Sequence, residues 1–204
     1  MRPFEHLQKL FMRLPGIGRR QARRLVFFLL QQDSRFRKEL ASTIQNIDAN
    51  MHLCQNSFQY FYSENQSETL SPIERDTSRD RSQIMIVEKD MDLEAIEQSN
   101  VYKGTYFVIG GLIPMMKHDV SHLRIDPLLQ HIEKRASQGL TEIIMSFSYN
   151  PESEHTRMFL EEKLKPVVEK HNLTISKLGR GLSTGTELEY SDSDTLRHAL
   201  SSRF

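Results

Sequence analysis

The chain reads as an α/β fold preceded by a helical module, and three observations predict this. From Ile84 onward, short apolar runs alternate with stretches of helical spacing. Strands apolar on both faces and separated by helices belong to a parallel sheet covered on both sides. Residues 1–51, by contrast, carry only helical periodicity, broken by one proline-glycine turn. Between these parts, residues 52–82 are rich in Ser, Asn, Gln, Glu and Asp with little periodicity, the pattern of an insert or linker rather than a core. The 204 residues suffice for one substantial core and a smaller helical appendage.

Each element has its own justification. Phe4, Leu7, Leu10 and Phe11 recur at helical spacing and run into the turn Leu14-Pro15-Gly16-Ile17-Gly18. Ala22, Leu25, Val26, Leu29 and Leu30 give a second helix a buried face. Phe36, Leu40, Ile44 and Ile47 predict a third, from Ser34 to about Met51. Phe58 to Tyr62 alternates well enough for a strand. Four further strands are expected at Ile84–Val87, Thr105–Ile109 (followed by Gly110-Gly111), Ile143–Met145 and Thr174–Ser176. Helices should lie between them at Asp92–Ser99, Pro127–Ser137 and about Glu154–Lys170. Right-handed crossovers in such a sheet place ligands or partners at the strand carboxyl ends.

The most informative stretch is Phe11 to Leu30, FMRLPGIGRRQARRLVFFLL. Gly16 and Gly18 let the backbone approach a ligand closely, and the helix that follows aims unpaired N–H groups and its positive dipole end at the same place. A phosphate is the natural occupant. Arg19, Arg20, Arg23 and Arg24 fall at i, i+1, i+4 and i+5, on the face opposite the apolar one. Together these are the helix-hairpin-helix signature of sequence-tolerant DNA binding, which grips the backbone, reads no base and is salt-sensitive. The plainer alternative is a solvated basic helix after an ordinary turn. Charge distribution favours the first reading. The chain balances at 27 basic and 27 acidic residues, yet residues 1–40 hold ten Lys or Arg against three Asp or Glu, leaving an acidic body.

Other features narrow the function classes. No apolar run is long enough to span a bilayer, the start lacks the apolar segment of a secretory signal, and a lone Cys54 excludes an intrachain disulfide framework. A cytoplasmic location is expected. Glu88, Asp90, Asp92 and Glu94 follow the strand at Ile84, and Glu152 and Glu154 lie beyond the strand at Ile143. Such carboxylates could hold Mg²⁺ or could stabilise helix N-termini without any chemistry. Gly179-Arg180-Gly181 and Ser183-Thr184-Gly185-Thr186 suggest a phosphate loop, but no Gly-Lys-Ser/Thr follows, so a P-loop is unsupported.

Four segments in order carry a family resemblance: LPGIGRRQARRLVFFLL from Leu14, VEKDMDLEAIE from Val87, YKGTYFVIGGLIP from Tyr102 and KLGRGLSTGTELEYSDSDTLRHALSSR from Lys177. Over nearly its whole length the chain resembles the RecR family of bacterial recombination mediators. The resemblance implies a helix-hairpin-helix DNA-binding module at 1–51, a degenerate zinc-finger region at 52–80, a Toprim domain with a parallel four-stranded sheet at 81–178, and a C-terminal helical segment at 179–204. It implies DNA repair without catalysis or cofactor: a clamp at gapped duplex or single-strand/double-strand junctions that helps load recombinase with RecO-type and RecF-type partners. It also implies a homotetramer built as a dimer of dimers. DNA contact falls on Gly16, Gly18, Arg19, Arg20, Arg23 and Arg24, and partner docking on Glu88, Asp92, Glu152 and Glu154.

The chain departs from the family pattern in two places. The family's four zinc-binding cysteines match Cys54, Ser57, Ser71 and Glu74, and His52 nearby cannot replace three lost thiolates. No zinc is therefore expected, with residues 52–80 held by packing and hydrogen bonds and Cys54 a buried or inert thiol in a surface loop. Catalytic Toprim proteins pair a glutamate with a later Asp-x-Asp; here Glu88 is present, but Ser148 to Glu154 contains no such pair. The alternative reading is a Mg²⁺-dependent nuclease or strand-passing enzyme using Glu88, Glu152 and Glu154. A further alternative is a protein adaptor without DNA binding.

Overall fold

The structure, a computed structural model, describes residues 2–115 and 120–179. The expected C-terminal helical segment therefore lies outside the described residues. By internal contacts the chain divides into two compact units, Met1–Met51 and His52–Phe204.

The first unit is helical. α1 (Pro3–Phe11) begins with Pro at its first position, where the missing N–H is unneeded. α2 (Arg19–Gln31) packs against it and buries Ala22 and Val26. α3 (Ser34–Gln45) starts where the Asp33 carboxylate accepts the Phe36 N–H at 2.7 Å. It ends earlier than its spacing predicts: Asn46 stops it and bonded turns lead to Met51, so Ile47 falls outside the helix. The face expected to be buried on α2 is only partly so. Leu25 and Leu29 are half-buried and Leu30 is 60% exposed.

At the boundary begins β1 (Met51–Leu53), which pairs with β2 (Tyr60–Tyr62) as a two-stranded sheet, and a short helix, α4 (Pro72–Arg75), follows. The expectation of an insert or linker rather than a core over 52–82 is corrected here, while the expectation that packing and hydrogen bonds hold residues 52–80 agrees with the structure. Cys54, Ser57, Phe61, Ser71 and Glu74 are all buried. The segment is also bonded to the main sheet: the Val108 N–H donates to Ser57 O at 2.7 Å, and Arg124 Nη1 donates to Phe58 O at 3.0 Å and Val108 O at 2.8 Å. Polar composition misled because Cys54, Ser57, Ser71 and Glu74 each accept a hydrogen bond from within the segment.

The main sheet contains β3 (Gln83–Val87), β4 (Thr105–Val108), β5 (Glu142–Ser146) and β6 (Thr174–Lys177), all parallel, in the order β4-β3-β5-β6. The helices are α5 (Asp90–Ser99), α6 (Ile125–Ala136) and α7 (Pro151–His171). Alternation sorts the central strand between two layers. Ile84 and Ile86 join Phe107, Leu128, Ile132, Leu160 and Leu164 beneath α6 and α7, while Met85 and Val87 join Tyr106, Val108 and Leu93 beneath α5. The expectation of strands apolar on both faces holds for β3 and β4 but fails for β6. That strand lies at the sheet edge, reads Thr-Ile-Ser-Lys and has no buried residue.

Candidate nucleic-acid interface

The hairpin between α1 and α2 is set by two residues. The Ile17 N–H donates to Leu14 O at 3.2 Å across Pro15 and Gly16, and Gly16 has φ +75°. Proline second and a positive-φ glycine third are the requirements of a type II turn. Gly18 differs, since its φ is −79° and an added Cβ would meet only Gln21 Oε1 at 3.6 Å. Neither its φ nor the space around it demands glycine, and its place at the helix start is one that glycine favours.

Gly18 is the N-cap of α2, but it has no side chain to offer. Its own N–H donates to Gln21 Oε1 at 3.3 Å, and Gln8 Nε2 donates to Arg19 O at 3.3 Å, which fixes the start of the helix. The amides of Arg19, Arg20 and Gln21 have no protein acceptor among the described residues, and no acid stands in the first turn. Arg19, Arg20, Arg23 and Arg24 are exposed, and none forms an ion pair among the described residues. The Arg23 guanidinium lies 5.6 Å from the Phe27 ring centroid, and Phe27 stands edge-on to Phe4 at 5.2 Å. The site thus combines uncapped amides, a helix dipole and four unpaired cations, which can bind phosphate oxygens. The structure brings all six expected glycine and arginine positions to this turn and helix. The bracing roles of Gln8 and Gln21 were missed, although Gly18-x-x-Gln21 has capping-box spacing.

The acidic residues form no comparable centre. Glu88 and Glu152 follow β3 and β5, neighbours in the sheet, so both sit at the same carboxyl edge. Asp92 Oδ2 accepts the Lys89 N–H at 3.2 Å as part of a capping box, and Asp90 Oδ1 accepts the Tyr60 N–H at 2.8 Å. Lys89 lies 3.7 Å from Glu88, and Glu154 pairs with Arg157. Glu152 is exposed in the first turn of α7. Among the described residues, no three His, Cys, Asp or Glu side chains group so as to hold a metal ion. No helix among them is long and apolar enough to cross a membrane.

Comparison with known proteins agrees with this geometry. The family described as RecR, helix-hairpin-helix matches residues 4–47, the Toprim domain matches 82–178, and RecR, C-terminal matches 181–203. Recombination protein RecR of Chloroflexus aggregans is 35% identical over 202 residues, spanning 98% of this chain and 93% of that protein. Its counterpart in Bifidobacterium longum subsp. infantis is 35% identical over 194 residues, with 95% and 91% covered. That of Lactobacillus johnsonii is 31% identical over 204 residues, with 98% and 96% covered. Matches at this identity, running almost from end to end and joined by one continuous order of modules, place the chain in the RecR family of recombination proteins.

Proposed function

We propose that this chain is a non-enzymatic DNA-binding mediator of recombinational repair, acting as a clamp at single-stranded gaps. One observation carries the reading: a helix N-terminus with no side-chain cap stands beside four exposed arginines that form no ion pair among the described residues. Gly16, Gly18, Arg19, Arg20, Arg23 and Arg24 hold the DNA backbone. The acids at the carboxyl edge of the sheet, Glu88, Asp92, Glu152 and Glu154, offer a docking surface for a basic repair protein of the RecO or RecF type.

Assembly into a ring is supported by the apolar character of the first unit. Only Ala22 and Val26 are buried in its helices, while a groove of about 420 Å³ is lined by Phe4, Leu7, Phe11, Leu29, Leu40 and Ile44. A helical module that leaves this much apolar surface open gains by covering it against another copy. The non-catalytic reading is supported by the roles the acids already fill, as caps and ion pairs rather than as a converging ligand set.

The test is incubation of purified protein with gapped DNA, recombinase, single-strand-binding protein and a RecO-type partner. Recombinase loading that is lost when all four arginines become Ala, with the DNA intact in Mg²⁺ and Mn²⁺, is the expected result. Metal-dependent cleavage abolished by Glu88→Gln would favour the nuclease alternative. Loading that survives loss of the arginines would favour a protein adaptor.

A further inference from the structure

The four positions that match the family's zinc cysteines remain a buried cluster. Cys54, Ser57, Ser71 and Glu74 are each no more than 3% exposed. Each of the four side chains accepts a hydrogen bond from the protein. Cys54 Sγ accepts the Ser71 N–H at 3.3 Å, Ser71 Oγ accepts the Glu74 N–H at 3.3 Å, and Glu74 Oε2 accepts from Asn56 Nδ2 at 3.1 Å. Ser57 lies in the same turn, closed by Phe58 N–H to Cys54 O at 3.0 Å, and its hydroxyl accepts the Gln59 N–H at 3.4 Å. One thiol, two alcohols and one carboxylate do not fit a structural zinc ion, which takes thiolate or imidazole donors at all four corners.

A buried carboxylate needs a counter-charge. Arg81 Nη1 stands 3.8 Å from Glu74 Oε2, and its Nη2 donates to Glu74 O at 2.7 Å. Arg135 of α6, only 4% exposed, donates from Nη2 to Arg81 O at 2.9 Å. Burial pulls Arg135 below the ordinary arginine value, and the field of Glu74 opposes that shift. Glu74 Oε1 and Arg135 Nη1 are both buried with no hydrogen-bond partner among the described residues. Glu74 thus ties the turn at Cys54, the short helix α4 and the main α/β layer together, three pieces that one zinc ion cannot link with these donors.

We propose that this is a vacated metal position converted into a metal-independent ionic latch, with Glu74 as its central residue, Arg81 as its counter-ion and Arg135 bracing Arg81 from α6. The inference is independent of the DNA-binding reading. It means that the protein keeps its finger region folded under zinc limitation and thiol oxidation, conditions that unfold a four-cysteine finger.

The experiment uses the full chain, with bound metal and thermal midpoint as readouts. Wild type is expected to carry no zinc after dialysis against zinc salts and to melt at the same temperature with and without EDTA. Glu74→Gln and Arg135→Gln should each lower the midpoint by about 10 °C, and the double variant should lose clearly less than the two combined. The triple variant Ser57→Cys, Ser71→Cys, Glu74→Cys should bind one Co²⁺ per chain with tetrahedral thiolate absorption and become EDTA-sensitive. Stoichiometric zinc in wild type with an EDTA-lowered midpoint would overturn the proposal. So would Glu74→Gln that melts like wild type, or a triple variant that binds no metal. If Glu74→Gln does not fold alone, recovery of a melting transition in the double variant supports the latch, and its failure refutes the coupling.

Discussion

His131 gives the second unit a pH-dependent stability whose size follows from its surroundings. Its ring lies 5.8 Å from Phe107, and its Nε2 is buried with no hydrogen-bond partner among the described residues. Burial first, then the fields of Arg135 and Lys134, pushes its pKa from 6.5 down to about 4. In the unfolded chain the imidazole takes a proton as pH falls through 6.5, whereas in the fold it resists until about 4. The unfolded state therefore binds more protons across this window, and stability present in full above pH 6.5 is lost as pH falls toward 4. At about 1.36 kcal/mol per pH unit, the gap amounts to roughly 3 kcal/mol. His131→Leu removes the titration while keeping an apolar group against Phe107. Carboxylates held low by hydrogen bonds, such as Glu133 with its Lys170 and His171 partners, titrate in both proteins and cancel. Urea unfolding followed by circular dichroism should show wild type losing about 3 kcal/mol more than the variant between pH 7.5 and 4. Parallel curves would refute the reasoning.

Three further predictions concern separate parts of the molecule. Gly16→Ala forces an L residue to φ +75° and should cost about 1–2 kcal/mol in stability, whereas Gly18→Ala, at a helix N-cap, should cost about 1 kcal/mol or less yet weaken DNA binding more than Gly16→Ala does. Equal effects of the two on both readouts would remove the argument for close approach at Gly18. Tyr106→Phe deletes the 2.6 Å bond from the phenol to Glu97, which also pairs with Arg79, and should destabilise by about 1–3 kcal/mol; an unchanged urea midpoint would show the bond to be idle. Ile44→Asp places a charge in the apolar groove of the first unit and should shift sedimentation toward smaller species, so an unaltered oligomer would put the subunit contact elsewhere.

The helical and sheet skeleton was legible because its apolar residues carry clean periods. Ile84 to Val87 and Thr105 to Val108 are continuous apolar runs, and the structure buries every residue of β4. The basic hairpin was legible for a different reason: Pro15 and Gly16 are local requirements of one turn, and the arginine spacing follows from helix geometry. Within residues 52–82, which groups hold one another was not legible. Their order comes from pairwise hydrogen bonds between residues far apart in sequence, such as Ser71 to Cys54 and Asn56 to Glu74, which leave no periodic trace. Nor does composition show that Arg124 would anchor Phe58 to the end of β4, with its guanidinium 5.3 Å from the ring centroid. At the acidic edge, spacing left both capping and metal binding open. The partners of Asp92 and Glu154 favour local structural roles for both.

The most direct test of the central claim is the salt dependence of binding to gapped DNA. Wild type is compared with a folded, correctly assembled variant in which Arg19, Arg20, Arg23 and Arg24 are all Ala. If the hairpin grips the phosphate backbone, affinity falls steeply with salt, and removing four phosphate contacts lowers the log–log slope by roughly 3 per engaged chain. The same slope and affinity in both proteins would place the DNA contact elsewhere and contradict the account.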